Sequence, residues 1–286
     1  ICACLVGSEM CIRDRFAGQG AQVPGMAADV KDLPKVKKLF GVAEDIRPGI
    51  VDKMLSGTQE ELNRTLLTQP TMFLADLAYA YAKEEELGAP ACACGFSVGE
   101  VPALCFAGML SEEDAFRAIV KRAELMEAYT ARVPGCMIAC VKLTADKVEA
   151  LCDGVNTHPA NYNGALQTVV ACRAEAEEAF SAKVKEAGGR AMKLRVSGMF
   201  HCPELAPEAE EFEKFLRSLS WSAPRLPVYA NLTAQPYEGD FAHTLAMQMR
   251  SPVRFTATVA NMRAAGVTEF AEVGPGKVLT GLVQRG

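Results

Sequence analysis

The sequence predicts an α/β protein in which a parallel sheet forms the larger domain and a ferredoxin-like small subdomain is inserted into it. Strand-like and helical patterns alternate from Phe16 onward, and the segment 135–196 has the order β-α-β-β-α-β. A serine lies between glycines at 95–99, as in a strand-to-helix turn. With 286 residues, 50% of them hydrophobic, the chain can bury a core of this size.

The segment 1–15 differs from everything that follows it. It contains three of the eleven cysteines, has neither a helical nor a strand period, and resembles the translation of a sequencing adapter. We therefore interpret residues 1–15 as a non-native leader and leave them out of the functional argument. On this interpretation the native first strand before Phe16 has been replaced, and we expect the sequence to be a fragment at both ends.

The remaining elements follow from local patterns in chain order. The small, apolar run 89–94 is typical of a buried strand, and Pro102 suits the first turn of the helix after Ser97. Ser111 begins the next helix, with Asp114 three residues on as in a capping box. The predicted ranges are helix 112–128; in the insertion, strand 135–141, a helix from Thr144 to about Cys152, strands 159–162 and 167–172, helix 174–187 and strand 190–196; and then helices 204–219 and 241–249 and strands 226–230 and 270–273. We place the large domain at 16–131 and 198–286 and the inserted subdomain at 132–197.

The run Gly95-Phe96-Ser97-Val98-Gly99-Glu100 presents a candidate nucleophile. Glycine on both sides of Ser97 permits strained dihedral angles and close backbone approach, and the N–H groups that begin a helix can stabilise an oxyanion. The pattern favours a serine-dependent acyl-transfer enzyme. Taken alone, it also fits an ordinary turn between a strand and a helix.

A serine nucleophile needs a base, and the chain has three histidines. His158 and His243 lie in a predicted strand and helix, where surface or structural roles are expected. His201 follows the predicted exit from the insertion, and a loop histidine at a domain seam can reach a nucleophile. On position alone, a loop histidine without a catalytic role fits better.

Arg122 lies within the edge of the apolar face of helix 112–128, which includes Met126. Burying a guanidinium is costly unless it meets an anion, and its shape suits bidentate contact with a carboxylate. Two other interpretations remain open at this point: that Arg122 extends to solvent, or that it pairs with an internal acid such as Glu100.

Composition excludes several classes. A net charge of −5, with acids and bases interspersed, provides no basic surface for nucleic acid. No apolar run approaches the length of a membrane span. Cys92 and Cys94 are one residue apart and the other cysteines are scattered, so we expect reduced, buried thiols and no metal.

Six blocks, in family order and with family-like spacing across residues 16–285, resemble the malonyl-CoA:acyl carrier protein transacylases, in the form found in eukaryotic organelles. They are FAGQGAQ (16–22), GFSVGE (95–100), VKRAELM (120–126), SGMFH (197–201), SPVRF (251–255) and EVGPGKVL (272–279). The resemblance implies a hydrolase-like α/β core with an inserted ferredoxin-like subdomain, in agreement with the layout above.

The resemblance also implies roles for particular residues. Ser97 becomes the acylated nucleophile, His201 its general base and later acid, and Arg122 the clamp for the malonyl carboxylate. The backbone N–H groups of Gln19 and Val98 would form the oxyanion hole. The remaining residues implied are the backbone near Gln248, which orients His201, and the substrate contacts Met126, Asn161, Asn163 and Phe200, the last disfavouring branched acyl groups.

The implied reaction moves malonyl from coenzyme A to Ser97 and then to the phosphopantetheine thiol of acyl carrier protein, for type II fatty-acid synthesis. The implied partners are malonyl-CoA and acyl carrier protein; no cofactor or metal is needed, and a monomer is expected. Phe96 stands where bacterial members commonly have histidine, which favours an organelle matrix, mitochondrial or plastid.

Three alternatives remain. The first is an acyltransferase domain drawn from a polyketide or multidomain fatty-acid synthase, which shares Ser97, His201 and Arg122. A catalytically silent docking module for carrier protein has no need of these three residues. A simple esterase has no use for Arg122.

Overall fold

A computed structural model describes residues 14–194, 196 and 198–283. The strands are β1 (Asp14–Phe16), β2 (Ala93–Gly95), β3 (Gly135–Val141), β4 (Thr157–Gly164), β5 (Gln167–Arg173), β6 (Arg190–Lys193), β7 (Val228–Tyr229) and β8 (Ala271–Val273). The helices are α1 (Pro34–Ile46), α2 (Ile50–Ser56), α3 (Gln59–Leu62), α4 (Thr65–Leu87), α5 (Glu100–Phe106), α6 (Glu112–Arg132), α7 (Ala145–Leu151), α8 (Glu177–Glu186), α9 (Ala206–Leu216), α10 (Phe241–Gln248), α11 (Phe255–Ala264) and α12 (Val278–Val283).

The first sheet is parallel, with strand order β7-β2-β1-β8. Its strands are short, and every residue of β2 and β7 is buried, as in parallel strands covered by helices. Successive residues of β2 face the two sides of the sheet. Ala93 joins the core beneath α4, α5 and α6, whereas Cys94 joins a second core that includes Phe255 of α11 and Leu279 of α12. The carboxyl end of β2 leads straight to Ser97.

The second sheet is antiparallel, with strand order β4-β5-β3-β6. Strand β3 pairs antiparallel with β5 on one side and with β6 on the other, and β4 lies beyond β5. This order is the ferredoxin-like arrangement. One face packs against α7 and α8 through residues such as Ile138, Val170 and Phe180. The other face carries Met137 and Val169 into the main core. The predicted α/β class with a ferredoxin-like insertion is confirmed.

Several element limits differ from the sequence predictions. Strand β1 includes Asp14 and Arg15, which we had assigned to the leader; backbone groups alone make the ladder to β2 and β8. Helix α6 continues to Arg132 rather than stopping near residue 128, because no helix breaker precedes Pro134. Thr144 is the N-cap residue of α7, but its side chain makes no capping hydrogen bond.

Two predicted strands are shorter than expected. The segment 190–196 is a strand only as far as Lys193, after which the chain leaves the sheet edge toward His201; Arg195 lies outside the described residues. The segment 226–230 is a strand only at Val228–Tyr229. Pro227 has no N–H to donate, although its carbonyl accepts from the Ala93 N–H at 2.9 Å.

Helix α4 is the longest element of the described chain, at 23 residues, and the sequence analysis did not identify it. It lies at the centre of the larger domain, with 13 buried residues, and it contains Pro70 near its start. Within the described residues, no helix is both long enough and apolar enough to cross a membrane. The importance of α4 for the site is that it carries Gln69 inward.

Helix α4 also buries a carboxyl group, that of Asp76. The side chain is fully buried, and neither of its oxygen atoms has a hydrogen-bond partner among the described residues. A Cβ atom added at Gly274 would lie 2.1 Å from Asp76 Oδ1, so the carboxyl group is held tightly against the 274–277 loop. Burial, with a smaller contribution from the charge of Glu272, raises the pKa of Asp76 well above its ordinary value.

We expect Asp76→Asn to increase stability at neutral pH. Because the pKa of Asp76 is raised in the folded state, the folded protein must hold a proton that the unfolded chain releases. The wild-type stability is therefore fully present below the unfolded pKa of about 3.8 and is lost at up to about 1.4 kcal/mol per pH unit as pH rises toward the folded pKa. Urea unfolding of both proteins across pH 4–8 measures this; a constant difference at all pH values would contradict it.

Candidate active site

The segment 95–100 forms the sharp turn that presents Ser97. The turn residues Ser97–Gly99 form a 3-10 helix that continues into α5, and Ser97 has a left-handed φ of 54°. A Cβ atom on Gly95 would lie 2.0 Å from the carbonyl carbon of Gly99, and one on Gly99 would lie 2.4 Å from the carbonyl oxygen of Phe16. Both glycines are therefore required sterically, and the strained serine is held by its surroundings.

Two side chains from distant parts of the chain hold the backbone of Ser97. Asn231 Oδ1 accepts from the Ser97 N–H at 2.7 Å, and Asn231 Nδ2 donates to the Gly95 carbonyl at 2.6 Å. Gln248 Nε2 donates to the Ser97 carbonyl at 2.7 Å. The turn is thus fixed on both sides of the nucleophile, and its hydroxyl remains available for chemistry.

The Ser97 hydroxyl contacts His201, with 2.7 Å between Oγ and Nε2. On the other side of the ring, Nδ1 lies 2.9 Å from the carbonyl oxygen of Gln248. A carbonyl can only accept, so Nδ1 carries the proton and Nε2 is left as the acceptor that faces the serine. His201 has a left-handed φ of 58°, so both members of the pair occupy strained backbone conformations.

The environment of His201 favours the neutral ring. Burial, reinforced by the positive charge of Arg122, lowers the pKa of His201 to about 4, although hydrogen bonds to the backbone at Gln248 and Ser251 act in the opposite direction. The imidazole is therefore unprotonated at neutral pH. In this form it can accept the Ser97 proton, as a general base must.

Arg122 is only 1% exposed and lies beside the nucleophile. Its Nη1 donates to Gln69 Oε1 at 2.8 Å, and its Nη2 donates to Gln248 Oε1 at 3.0 Å and to Ser97 Oγ at 3.3 Å. Burial lowers the pKa of Arg122 to about 10, and the charge of Glu100 opposes this shift, so the guanidinium is cationic at neutral pH. Of the interpretations left open by the sequence, extension to solvent is wrong, and Glu100 acts on Arg122 only through its charge.

The hydrogen-bonding capacity of Arg122 is not exhausted. A guanidinium has about five N–H donors, and its Nε atom has no partner among the described residues. The groups that hold Arg122 are neutral amides rather than carboxylates. A buried cation arranged in this way is suited to receive an anion from a ligand.

Glu100 forms a second buried group behind Gln248. Its carboxylate accepts from Tyr237 Oη at 2.5 Å, from Gln248 Nε2 at 2.7 Å and from the Asn231 N–H at 3.3 Å. Burial raises the pKa of Glu100 to about 7, while these hydrogen bonds and the charge of Arg122 oppose the shift. The sequence pattern indicates Glu100 only as a partner for Arg122, and nothing in it points to this network.

A groove opens above this pair of residues. A pocket of about 70 Å³ is lined by Ser97 and His201 together with the predicted contacts Gln19, Met126, Asn161 and Phe200. A larger pocket of about 290 Å³ shares Gln19, Phe96 and Asn161 with it and extends past Asn163 toward Leu279 and Leu282. The predicted contacts Gln19, Met126, Asn161, Asn163 and Phe200 therefore line this groove, whereas Arg122 and Val98 line neither of its two pockets.

The remaining predicted residues occupy defined places. Val98 follows Ser97 at the start of the helical turn and is buried. Met126 is also held from behind, since Gln69 Nε2 donates to its sulfur at 3.1 Å. Phe96 packs edge-on against Phe255, with ring centroids 5.4 Å apart. The carbonyl of Gln248 and its side chain contact different members of the site.

The other two histidines are distant from this chemistry. His158 Nε2 lies 3.1 Å from the Val155 carbonyl. His243 is on the surface, where its ring lies 3.1 Å from Glu213. Across residues 14–194, 196 and 198–283, no group of three or more His, Cys, Asp or Glu side chains is arranged to hold a metal ion.

The fold and the Ser97–His201 pair define an acyl transferase. The acyl transferase domain family matches residues 16–286, and the chain belongs to this family. Among curated proteins, it is similar to the malonyl CoA-acyl carrier protein transacylase of Escherichia coli, with 35% identity over 280 residues that cover 94% of this chain and 91% of the relative.

Solved structures agree with this assignment. Malonyl CoA-acyl carrier protein transacylase from Burkholderia pseudomallei superposes with a TM-score of 0.89 and 32% identity, covering 96% of this chain and 97% of that one. A malonyl-transacylase in complex with a holo type II PKS acyl-carrier protein gives a TM-score of 0.90 and 33% identity, covering 96% and 92% of the two chains.

We expect serine acylation to tolerate moderately acidic conditions. Because the pKa of His201 is lowered to about 4, the ring stays neutral as pH falls from 7.5 to 5.5 and becomes protonated only near pH 4. Quenched-flow measurement at saturating acyl-thioester donor should give acylation rates within about twofold across that range. A tenfold loss by pH 5.5, as expected for a histidine of ordinary pKa near 6.5, would contradict it.

Proposed function

We propose that this chain transfers malonyl from malonyl-CoA to the phosphopantetheine thiol of acyl carrier protein, through a malonyl ester of Ser97. The observation that carries the proposal is the buried Arg122 guanidinium, whose Nη2 lies 3.3 Å from the Ser97 hydroxyl oxygen. An acyl group on that oxygen places its α-substituent close to the cation. In malonyl a single methylene carbon separates the acyl carbon from the carboxylate. The ester can therefore form at Ser97 Oγ while the carboxylate lies beside the Arg122 guanidinium.

Acylation begins with proton transfer from Ser97 Oγ to His201 Nε2 as the oxygen attacks the thioester carbonyl. The Gln248 carbonyl holds the Nδ1 proton of the resulting imidazolium. The tetrahedral intermediate then collapses, its bond to sulfur breaks, and His201 returns the proton to the departing thiolate of coenzyme A. Malonyl-Ser97 and free coenzyme A result.

Transfer repeats the same chemistry in reverse. The phosphopantetheine thiol of the carrier protein gives its proton to His201 as the sulfur attacks the malonyl ester. Collapse of the second intermediate breaks the bond to Ser97 Oγ, which recovers the proton from His201. No acidic third member is required, because the Gln248 carbonyl orients the ring in the place that an aspartate occupies in other triads.

Stabilisation of the intermediates is assigned to backbone N–H groups. We infer that Val98, directly after the nucleophile at the helical turn, and Gln19, which lines the pocket over Ser97, form the oxyanion hole. Asn161, Asn163, Met126 and Phe200 would shape the groove for the thioester and its acyl group. Phe200 is nearly buried beside His201, so its ring opposes a branched acyl group.

The named relatives support the partner. One solved structure of similar fold was obtained as a complex with an acyl-carrier protein. The pocket of about 290 Å³ runs from Gln19 past Asn163 toward Leu279 and Leu282, and an extended phosphopantetheine arm could follow this course. An organelle matrix as the compartment and a monomeric state remain predictions from the sequence.

We expect labelled malonyl-CoA to acylate the wild-type chain rapidly and labelled acetyl-CoA to acylate it poorly. Ser97→Ala abolishes labelling by either donor. Arg122→Ala leaves the malonyl carboxylate without its cation, which typically costs 2 kcal/mol or more, so malonyl labelling falls by about 30-fold or more while acetyl labelling changes much less. Radiolabel capture on the protein, followed by chase with holo carrier protein, measures each step.

The matched control is Arg117→Ala on the same helix, since Arg117 is exposed and pairs only with Glu113 among the described residues. It should leave both labelling rates unchanged, and Arg122→Lys should fall between wild type and Arg122→Ala because lysine keeps the charge but not the planar fork. Equal labelling of the wild type by both donors would refute the carboxylate clamp. Apo carrier protein, which lacks the thiol, should remove no label.

A further inference from the structure

The charges around Arg122 balance before any substrate binds. Arg122 from α6 and Glu100 from α5 are both fully buried, and the Gln248 side-chain amide lies between them. Gln248 Oε1 accepts from Arg122 Nη2 at 3.0 Å, and Gln248 Nε2 donates to Glu100 Oε2 at 2.7 Å. When Glu100 is ionised, one buried cation therefore faces one buried anion across a single amide.

A malonyl group changes this balance. Its carboxylate brings a second negative charge next to Arg122, into the same water-poor space as Glu100. Two buried anions next to one cation are unfavourable, since like charges in a low dielectric repel strongly. The ligand carboxylate is held by the guanidinium, so the group that can become neutral is Glu100.

We propose that Glu100 is a specificity-determining positioning residue, which takes up a proton when the carboxylated acyl group binds at Arg122 and thereby couples recognition of that group to pH. This inference rests on the proposed malonyl transfer. The proton would be held at Glu100 Oε1, where Tyr237 Oη lies at 2.5 Å, while Oε2 continues to accept from Gln248. An acetyl group adds no charge and makes no such demand.

Few other groups compete for this proton among the described residues. Tyr237, from the segment after β7, contacts Glu100 directly, and burial raises its own pKa well above the ordinary value, so it stays neutral. His201 reaches Gln248 through Nδ1, but its lowered pKa of about 4 keeps it uncharged. Gln248 from α10 and the Asn231 N–H do not titrate. The positive charge of Arg122 acts on Glu100 in the direction that favours its carboxylate.

The direction of the pH effect follows from linkage. In the protein without ligand, the pKa of Glu100 is raised to about 7, and a bound carboxylate raises it further. Malonyl binding is therefore strongest at pH values at which Glu100 is already protonated. Above neutral pH, the concentration of malonyl-CoA that half-saturates serine acylation should rise by up to about tenfold per pH unit. The corresponding concentration for acetyl-CoA should stay constant over pH 6–8.5.

Two variants in this network should change the pH profile of half-saturation in different ways. Glu100→Gln cannot ionise, so half-saturation by malonyl-CoA becomes independent of pH. Tyr237→Phe removes a hydrogen bond that favours the carboxylate, so the onset of the rise moves to higher pH. Asp76→Asn, which replaces another fully buried carboxyl group whose oxygen atoms have no hydrogen bond to this network, is the matched control and should keep the wild-type profile.

A binding measurement separates proton uptake from catalysis. Calorimetric titration of Ser97→Ala with malonyl-CoA, at pH 8 in buffers of different ionisation enthalpy, should show uptake of about one proton, and the Ser97→Ala, Glu100→Gln double variant should show about none. Absence of uptake in Ser97→Ala, or a wild-type pH profile in Glu100→Gln, overturns the role of Glu100. Failure of the wild-type chain to form malonyl-Ser97 would instead overturn the proposed function.

Discussion

The side chain and carbonyl of Gln248 form the junction on which the site depends. Its carbonyl accepts from His201, its Nε2 donates to the Ser97 carbonyl and to Glu100, and its Oε1 accepts from Arg122. An amide has one donor end and one acceptor end, so the cation and the anion fix its orientation. Ser97, His201 and Arg122 are therefore all held by one residue at the end of α10. Removal of either the Arg122 or the Glu100 side chain would free this amide to rotate and would loosen the other contacts.

Strain and burial then make the arrangement functional. Ser97 and His201 both have left-handed backbone conformations, which the surrounding contacts must stabilise. The same burial that disfavours the charge of Arg122 also keeps His201 neutral and raises the pKa of Glu100. Water exclusion thus serves base catalysis and anion recognition together, and neither property belongs to a single residue.

The sequence predicted the reactive residues better than the residues that hold them. Ser97 lies between two glycines that a sharp turn requires, and Arg122 interrupts an apolar helical face. Both residues can therefore be recognised from a few neighbouring positions in the sequence. Gln69, Asn231 and Tyr237 have no such signal, because amides and phenols occur throughout a chain and their contacts here span 53 to 137 positions. The predicted lengths of β6 and β7 were wrong for a related reason. Pairing across the sheet, rather than local composition, decides where these strands end.

The strand order β7-β2-β1-β8 also bears on how the protein is made. Both inner strands come from the first 95 residues, whereas the outer strands come from residues after 227. During synthesis on the ribosome the inner pair emerges long before its flanking strands, so both of its edges stay open while the insertion is completed. The nascent chain must therefore spend that interval with exposed strand edges, which makes chaperone binding and aggregation competing fates until β8 is released.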